Sequence, residues 1–195
     1  MTSLPPLASV QSANFFESMY QNSPDPWNFA GSAYERRRYA TTIRSLLRPS
    51  YETAFEPGCS VGELTAELAM RCRRVIATDI APTAIARARR RCSHLANVEI
   101  GCSDLLAAIP QIPLDLVVFS EIGYYFGEQV LGDLAASIAA TLQSGGEFVA
   151  VHWLGDSREH VLHGNKVHDV LKEVLPIRWM KGERHCGFRI DTWVR

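Results

Sequence analysis

Residues 55–64 are Phe-Glu-Pro-Gly-Cys-Ser-Val-Gly-Glu-Leu, and they place Gly58 and Gly62 four residues apart. An apolar stretch precedes the glycines, and the predicted start of a helix follows them. Glycine at such a junction lets the backbone of a strand-to-helix turn approach a ligand closely. The stretch therefore predicts the first strand-turn-helix unit of an α/β sheet, with a ligand held at the turn.

Strand and helix patterns alternate along most of the chain. Residues 114–120 are nearly all apolar, as expected of a central strand that is covered on both faces. The predicted strands are 51–56, 74–79, 97–102, 114–120 and 147–153, and the predicted helices between them are 62–72, 82–92 and 127–142. This order indicates an α/β fold with an open, mostly parallel, Rossmann-like sheet and right-handed crossovers.

The two ends of the chain depart from this alternation. At the carboxyl end, a short helix at 166–174 precedes a predicted antiparallel hairpin made of residues 177–181 and 188–194. At the amino end, residues up to about 12 are expected to fray. Two helices then follow, at 14–20 and 34–47, separated by the helix-breaking segment 22–27.

The length and composition of the chain exclude several classes of protein. With 195 residues, 47% of them apolar, the chain can bury one sizeable core. We therefore expect a single domain, 1–195, made of an N-terminal helical cap (1–48) and a Rossmann-like core (49–195). A net charge of −1 gives no field that would attract nucleic acid or a membrane surface. Two arginine clusters, 36–38 and 87–91, are interpreted as solvated helix faces.

The cysteines and histidines argue against two kinds of site. Five cysteines without a C-x-x-C pair do not form a disulfide framework or a structural zinc site, so reduced thiols in a cytoplasm are expected. His160 and His163 are three residues apart, but Gly164 breaks the helical register, so no metal site is predicted.

The sequence shows neither a basic export signal nor an apolar stretch long enough to span a bilayer.

The glycine turn distinguishes between two kinds of adenosine-containing cofactor, one with a pyrophosphate and one without. A pyrophosphate-binding turn needs G-x-G-x-x-G, and the corresponding positions here are Gly58, Ser60 and Glu63. Two of the three glycines are missing, and Glu56 would repel a pyrophosphate. S-adenosylmethionine fits better, because it has no phosphate and carries an ammonium and a sulfonium that favour a nearby carboxylate.

The pattern E-x-G-x-x-x-G of residues 56–62 resembles motif I of class I methyltransferases, commonly E/D-x-G-x-G-x-G, with Ser60 in place of the middle glycine. The resemblance implies the class I methyltransferase fold and S-adenosylmethionine as the cofactor, with S-adenosylhomocysteine as the product. It also implies that backbone at the turn approaches the methionine moiety of the cofactor.

Acidic residues at two later strand ends extend the predicted cofactor site. Asp79 ends the second strand 21 residues after Gly58, where a carboxylate accepts both ribose hydroxyls; a helix cap is the compatible alternative. Asp104 follows the third strand, where methyltransferases use an acidic side chain to bind the adenine amino group, and here too a helix cap is the alternative. For Arg38, contact with the methionine carboxylate competes with a solvated helix position. The predicted cofactor set is Glu56, Gly58, Ser60, Gly62, Asp79, Ile80, Ser103, Asp104, Leu105, Ser120, Trp27 and Arg38.

Segments on both sides of the motif resemble one methyltransferase family. They are Asp25-Pro-Trp27, Ser32-Ala-Tyr-Glu-Arg36, Ser120-Glu-Ile-Gly-Tyr-Tyr125, Val151-His-Trp153 and Gly164-Asn-Lys-Val-His-Asp169. These segments are similar to those of the nodulation N-methyltransferase (NodS-like) family, and the similarity covers nearly the whole chain. It implies methylation of the free amine of a deacetylated chito-oligosaccharide or a related amino sugar.

An amine must be neutral to attack a methyl group, so a group that removes its proton is expected. Glu121, just past the fourth strand, and His152, near the end of the fifth, are the predicted catalytic residues. The Asp25-Pro-Trp27 turn and the helix that contains Tyr34 are expected to form a lid, or else an amino-terminal cap packed on the sheet. The predicted acceptor-binding residues are Tyr34, Tyr124, Tyr125, Trp153 and His163.

Two alternatives to this function stay open at the level of sequence. One is a methyltransferase acting on another nitrogen, oxygen or carbon acceptor, which keeps the cofactor site but needs a different base. The other is a non-catalytic domain that binds an adenosine nucleoside without turnover. The oligomeric state is not predicted.

Overall fold

The computed structural model describes residues 12–195, so the predicted fraying of the first residues lies outside the described part. The strands are β1 (Tyr51–Pro57), β2 (Cys72–Asp79), β3 (Val98–Cys102), β4 (Leu114–Ser120), β5 (Leu142–Trp153), β6 (Arg178–His185) and β7 (Phe188–Val194). The helices are α1 (Ala13–Asn22), α2 (Ala33–Ser45), α3 (Glu63–Ala69), α4 (Pro82–Arg91), α5 (Leu105–Ala108), α6 (Glu128–Ala140) and α7 (Gly164–Val174), with a 3-10 turn at Gly123–Tyr125.

The strands form one sheet in the order β3-β2-β1-β4-β5-β7-β6. β1 to β5 are parallel to one another, whereas β7 is antiparallel to both β5 and β6. This confirms the predicted Rossmann-like, mostly parallel sheet with its carboxyl-terminal antiparallel hairpin. The order of the strands reverses between β1 and β4, which defines the switch point of the sheet.

The main departure from the predicted strands is the start of β5, five residues earlier than expected. Leu142 pairs with Leu114, after which the register shifts so that Glu147 pairs with Leu116. Gly145, whose φ is +76°, lies within this irregular stretch. The glycine pair predicted as a turn before the strand is therefore an irregularity inside it, since a bulge accommodates extra residues without ending the strand.

The helices are short, and one of them was not predicted. α5 has four residues and lies just after β3. A helix this short gives no periodic apolar pattern in the sequence. Within residues 12–195, no helix is both long enough and apolar enough to cross a membrane.

The apolar core lies on both faces of the sheet, and β4 explains why. Leu116 and Val118 belong to one buried cluster, while Val117 and Phe119 belong to the cluster on the opposite face. All four side chains are fully buried. Because helices cover both faces, the sequence of this central strand shows no alternation between apolar and polar residues.

The amino-terminal cap is attached to the core by polar contacts with α4. The Glu17 carboxylate accepts hydrogen bonds from the backbone N–H and the hydroxyl of Thr83, at 3.0 and 2.5 Å. The Arg87 guanidinium donates to the backbone carbonyls of Tyr20, Ser23 and Pro24. These contacts hold α1 against the first turn of α4, next to the carboxyl ends of β1 and β2.

Candidate active site

A cavity of about 1050 Å³ opens at the carboxyl ends of the parallel strands. It lies at the switch point between β1 and β4, where ligands of open α/β sheets bind. Phe16, Trp27 and Phe29 of the amino-terminal cap form part of its wall. A cavity of this size is large for one drug-sized ligand, so it has room for a cofactor together with an acceptor.

Most of the predicted site residues meet at this cavity. Those in its wall are Trp27, Tyr34, Gly58, Ser60, Asp79, Ile80, Ser103, Asp104, Leu105, Glu121, Tyr124, Tyr125 and Trp153. The predicted residues that lie outside this wall are Glu56, Gly62, Ser120, Arg38, His152 and His163.

The turn after β1 owes its shape to residues with positive φ. Gly58 has a φ of +75°, Ser60 of +52° and Gly62 of +83°. A Cβ atom added to Gly58 would lie 2.2 Å from Cγ2 of Ile122, so no larger residue fits there without displacement. Gly58 is thus required twice, once for its backbone conformation and once for its closeness to the loop after β4.

Asp79 fixes the glycine turn and also faces the cavity. Its Oδ2 accepts a hydrogen bond from the Ser60 N–H and its Oδ1 accepts one from the Ala81 N–H, both at 2.9 Å. Burial raises the pKa of Asp79, and the two backbone N–H groups act in the opposite direction. The predicted helix cap at Asp79 is wrong, because Ala81 is the N-cap residue of α4 and no side chain caps that helix; Asp79 instead binds the backbone on both sides of the turn.

Glu56 lies beneath the turn instead of in the cavity wall. It is buried, and its Oε2 accepts a hydrogen bond of 2.6 Å from the Thr65 hydroxyl on α3. Burial raises the pKa of Glu56 to about 8, with a hydrogen bond from Thr65 opposing and the charge of Asp79 adding to the shift. This arrangement joins the end of β1 to α3 and supports the turn from below.

Arg38 is buried, so the prediction that it occupies a solvated position on its helix is wrong. Arg38 is 1% exposed, and its guanidinium forms ion pairs with Glu35 on the same helix and with Glu121 after β4. Burial alone would lower the pKa of Arg38, but the two carboxylates raise it above its ordinary value. The interpretation as a solvated face fails because α2 packs this side of the helix against the core; Arg36 and Arg37 are exposed as expected.

Glu121 connects several elements at the edge of the cavity. Its Oε1 accepts a hydrogen bond from the Trp153 N–H at 2.7 Å, and its Oε2 accepts one from the Tyr124 hydroxyl at 2.8 Å. With the Arg38 ion pair, the carboxylate has three partners from α2, β5 and the 3-10 turn. Its φ of +60° directs the chain from β4 into the cavity wall.

His152 points away from the cavity and belongs to a buried chain of hydrogen bonds. Its Nε2 accepts from the Gly123 N–H at 3.0 Å, so its Nδ1 carries the proton and donates to His168 Nε2 at 3.2 Å. His168 Nδ1 then donates to Asp191 Oδ2 at 2.6 Å. Neither nitrogen of His152 is left to take a proton from a ligand, so the structure does not bring this predicted base to the site.

His163 serves the local structure of α7. Its Nδ1 accepts a hydrogen bond from the Asn165 N–H, and its Nε2 lies 2.9 Å from the Leu154 carbonyl oxygen. It therefore caps the start of the helix, and the structure does not bring it to the cavity wall.

Several residues of the cavity wall were missed in the sequence. Phe16 and Tyr20 are four residues apart on α1, a spacing that could have indicated one helix face turned to the core. The loop between β5 and α7 gave no such signal, because it has no periodic pattern. The missed residues of these two regions are Phe16, Met19, Tyr20, Asp156, Ser157, Glu159 and His160.

The charged residues in the cavity wall are all acidic. Among residues 12–195, no lysine or arginine lines the cavity, whereas six carboxylates do: Glu35, Asp79, Asp104, Glu121, Asp156 and Glu159. Such a wall favours cationic ligands and disfavours phosphates. In the same part of the chain, no group of three or more His, Cys, Asp or Glu residues is arranged to hold a metal ion.

The family model for nodulation protein S matches residues 16–169. The chain belongs to the NodS family. Nodulation protein S of Rhizobium tropici is 32% identical over 160 residues, which cover 77% of this chain and 66% of that protein. For two further nodulation protein S relatives, the matched residues cover 59% and 51% of the relative's length. This chain therefore spans between about half and two thirds of the lengths of these three relatives.

Solved structures confirm the fold. The N-methyltransferase NodS from Bradyrhizobium japonicum WM9, in complex with S-adenosylhomocysteine, matches with a TM-score of 0.83 at 22% identity and covers 94% of this chain and 98% of that one. A protein from Pseudomonas syringae described as a methyltransferase is 33% identical with a TM-score of 0.72, covering 84% of this chain and 100% of that one.

The close approach of Gly58 to Ile122 predicts the effect of a methyl group at the turn. Gly58→Ala should destabilise the protein by about 1–3 kcal/mol, the usual cost of overpacking, and should weaken binding of S-adenosylhomocysteine because the turn that meets the cofactor is displaced. Gly145→Ala is the matched control, since Gly145 has a φ of +76° but nothing within 4 Å of an added Cβ. It should lower the melting temperature without changing the calorimetric dissociation constant, and equal binding by both variants would contradict this role of Gly58.

The buried histidine pair predicts a loss of stability in acid. Burial, above all, lowers the pKa values of His152 and His168, so below about pH 6.5 the unfolded chain binds more protons than the folded one. Their contribution is complete above that pH and is lost as the pH falls toward the folded pKa values. Each histidine should remove up to about 1.4 kcal/mol of unfolding free energy per pH unit, measured by urea unfolding between pH 7 and 5.

The comparison that isolates this effect uses two variants of the same type. His152→Gln should lose less stability than the wild type over this pH interval, because one neutral buried imidazole is gone. The exposed His94→Gln variant should follow the wild type. Identical pH slopes for all three proteins would show that the pair does not titrate in this way.

Proposed function

We propose that this chain is an S-adenosylmethionine-dependent N-methyltransferase whose acceptor is the free amine of a deacetylated chito-oligosaccharide or a related amino sugar. The observation that supports it most is the cavity at the switch point, lined by carboxylates and aromatic side chains. The cofactor is a cation at its sulfur, and an amino sugar is a cation when protonated. Both therefore suit an acidic cavity that disfavours phosphate.

The cofactor occupies the half of the cavity next to β1, β2 and β3. The Asp79 carboxylate accepts the ribose hydroxyls, while its bonds to Ser60 and Ala81 hold it in place. Asp104 binds the adenine amino group, next to Ser103, whose N–H donates to the Asp79 carbonyl oxygen at 3.0 Å. Ile80 and Leu105 supply apolar walls for the adenine ring.

The methionine end of the cofactor lies beside Gly58, towards β4. A small adjoining hollow of about 30 Å³, lined partly by Gly58, Ser60, Ser120 and Arg38, is roughly the size of one water molecule. Arg38 Nε is buried and has no hydrogen-bond partner among residues 12–195. A methionine carboxylate at this hollow would give the Nε–H group an acceptor, and Glu56 and Gly62 would act by supporting the turn.

The acceptor occupies the other half of the cavity, beyond the ends of β4 and β5. Tyr34, Tyr124, Tyr125 and Trp153 offer aromatic faces for a sugar ring, and Glu121 offers a carboxylate for the amine. Methyl transfer is an in-line displacement at a carbon that the sulfonium has already activated. The protein therefore contributes mainly by positioning the amine and excluding water.

Within the described residues, 12–48 act as the cap of a single domain and exclude water from the reacting groups. Trp27 and Phe29 stack with ring centroids 5.6 Å apart, and Trp27 packs edge-on against Tyr20 at 5.5 Å. The Tyr20 hydroxyl hydrogen-bonds to Ser60 Oγ in the glycine turn. This contact joins the cap to the cofactor site, so loss of the cap would expose the sulfonium.

A cytoplasmic location agrees with the state of the cysteines. Cys59, Cys72, Cys92, Cys102 and Cys186 are all free thiols. Free thiols persist in a reducing compartment, where a small-molecule or oligosaccharide acceptor would be the only partner the reaction needs. Neither nucleic acid nor a membrane is required.

The proposed acceptor predicts a simple pattern of turnover. With labelled S-adenosylmethionine, a fully deacetylated chitotetraose should gain a methyl group on nitrogen, detected by mass spectrometry. The N-acetylated chitotetraose is the matched control without a free amine, and phosphoethanolamine tests an amine that carries a phosphate. Neither should be methylated, because the first has no nucleophile and the cavity wall offers the second no lysine or arginine.

Methylation of the acetylated sugar, or a preference for phosphoethanolamine, would contradict the proposed acceptor. Binding of S-adenosylhomocysteine without turnover of any amine would instead favour the non-catalytic nucleoside-binding domain.

A further inference from the structure

His160 is held at the acceptor side of the cavity by the loop between β5 and α7. Its ring stacks on Tyr124 with centroids 3.7 Å apart and planes inclined by 14°. The N–H groups of the next two residues, Val161 and Leu162, both donate to the Tyr124 carbonyl oxygen, at 2.8 and 3.1 Å. Because the Tyr124 hydroxyl is bonded to Glu121, the imidazole has a fixed place beside that carboxylate.

The other neighbours of His160 are aromatic or acidic. Tyr125 and Trp153 meet the ring edge-on, with centroid distances of 5.4 and 6.0 Å. The charged and titratable groups around it are Glu121, Tyr124, Tyr125, His152, Glu159 and His163. Burial lowers the pKa of His160, and Glu121 opposes this shift while His163 adds to it. The imidazole is therefore a neutral proton acceptor near pH 7.

We propose that His160 is the general base of the reaction, taking the proton that the acceptor amine loses. This assignment rests on the proposed function. The amine lone pair forms the new nitrogen–carbon bond, the carbon–sulfur bond breaks with its electrons passing to sulfur, and S-adenosylhomocysteine is released. Before the attack, one proton of the bound ammonium passes to an imidazole nitrogen of His160 and then to solvent; after the attack, the product leaves as a methylated ammonium ion.

The two residues predicted from the sequence are less suited to this step. His152 uses both nitrogens in the chain from Gly123 to His168. Both carboxylate oxygens of Glu121 already have partners in Arg38, Tyr124 and the Trp153 N–H. Glu121 therefore holds the ammonium by charge, and His160 removes the proton.

The acidic wall makes such a base necessary. Carboxylates near an amine stabilise its ammonium form and raise its pKa, so the bound acceptor arrives protonated. An ammonium has no lone pair and does not attack the methyl group. A neutral imidazole beside the bound amine can accept this proton, because burial keeps His160 unprotonated near pH 7.

The test compares His160→Gln with His94→Gln, a substitution of the same kind at an exposed position without a role in the site. With fully deacetylated chitotetraose as acceptor, His160→Gln should lower kcat about 10²- to 10⁴-fold, the usual loss for a general base. Binding of S-adenosylhomocysteine should stay unchanged by calorimetry. The wild-type fall in kcat at low pH should disappear in His160→Gln and persist in His94→Gln.

A second variant separates base chemistry from packing against Tyr124. Added imidazole should restore part of the turnover of His160→Ala, because the free base can enter the space left by the ring. Loss of turnover in both variants without rescue, and with the low-pH fall retained, would assign His160 a packing role and overturn the proposal.

The failure of this proposal is distinguishable from failure of the proposed function. Normal kcat and a normal pH profile in His160→Gln, with an active wild type, would overturn only the role of His160. A wild type that methylates no amine would overturn the proposed function and the His160 role together.

Discussion

The architecture of the site depends on the carboxylate of Glu121. It forms an ion pair with Arg38 on α2 and accepts hydrogen bonds from Tyr124 and from the Trp153 backbone. One group thus joins the amino-terminal cap, the loop after β4 and the end of β5. Because Arg38 is buried, removing Glu121 would take away one of its two carboxylate partners and leave Glu35 alone to balance its charge, which should destabilise the core. The same carboxylate contributes to the acidic cavity wall, so stability and ligand preference share one residue.

The fold could be predicted largely from the sequence, because its signals are local. Gly58 and Gly62 identify the turn after β1, and the uniformly apolar 114–120 segment identifies a central strand covered on both faces. Asp79 was also identified correctly as a residue of the cavity wall, because its position at a strand end follows from topology. The early start of β5 was not foreseen, since a bulge at two glycines resembles a turn in the sequence.

The rest of the site could not be predicted, because it arises from contacts between distant segments. Arg38 lies among other arginines and resembles a solvated residue, and only the packing of α2 reveals its buried ion pairs. His152 and His168 are sixteen residues apart, so their mutual hydrogen bond has no sequence signature. His160 lies in an aperiodic loop, and its stacking on Tyr124 is a tertiary contact. The sequence identified the correct edge of the sheet but not the histidine that faces the cavity.

The most direct test of this account is a crystal structure with S-adenosylhomocysteine and fully deacetylated chitotetraose bound together. The account predicts ribose hydroxyls on Asp79 and the sulfur directed towards β4. It also predicts one sugar amine in line with that sulfur, within hydrogen-bond distance of His160 and beside Glu121. An amine bound on the far side of the cap, or a sulfur directed away from the acidic half of the cavity, would contradict the proposed division between cofactor and acceptor.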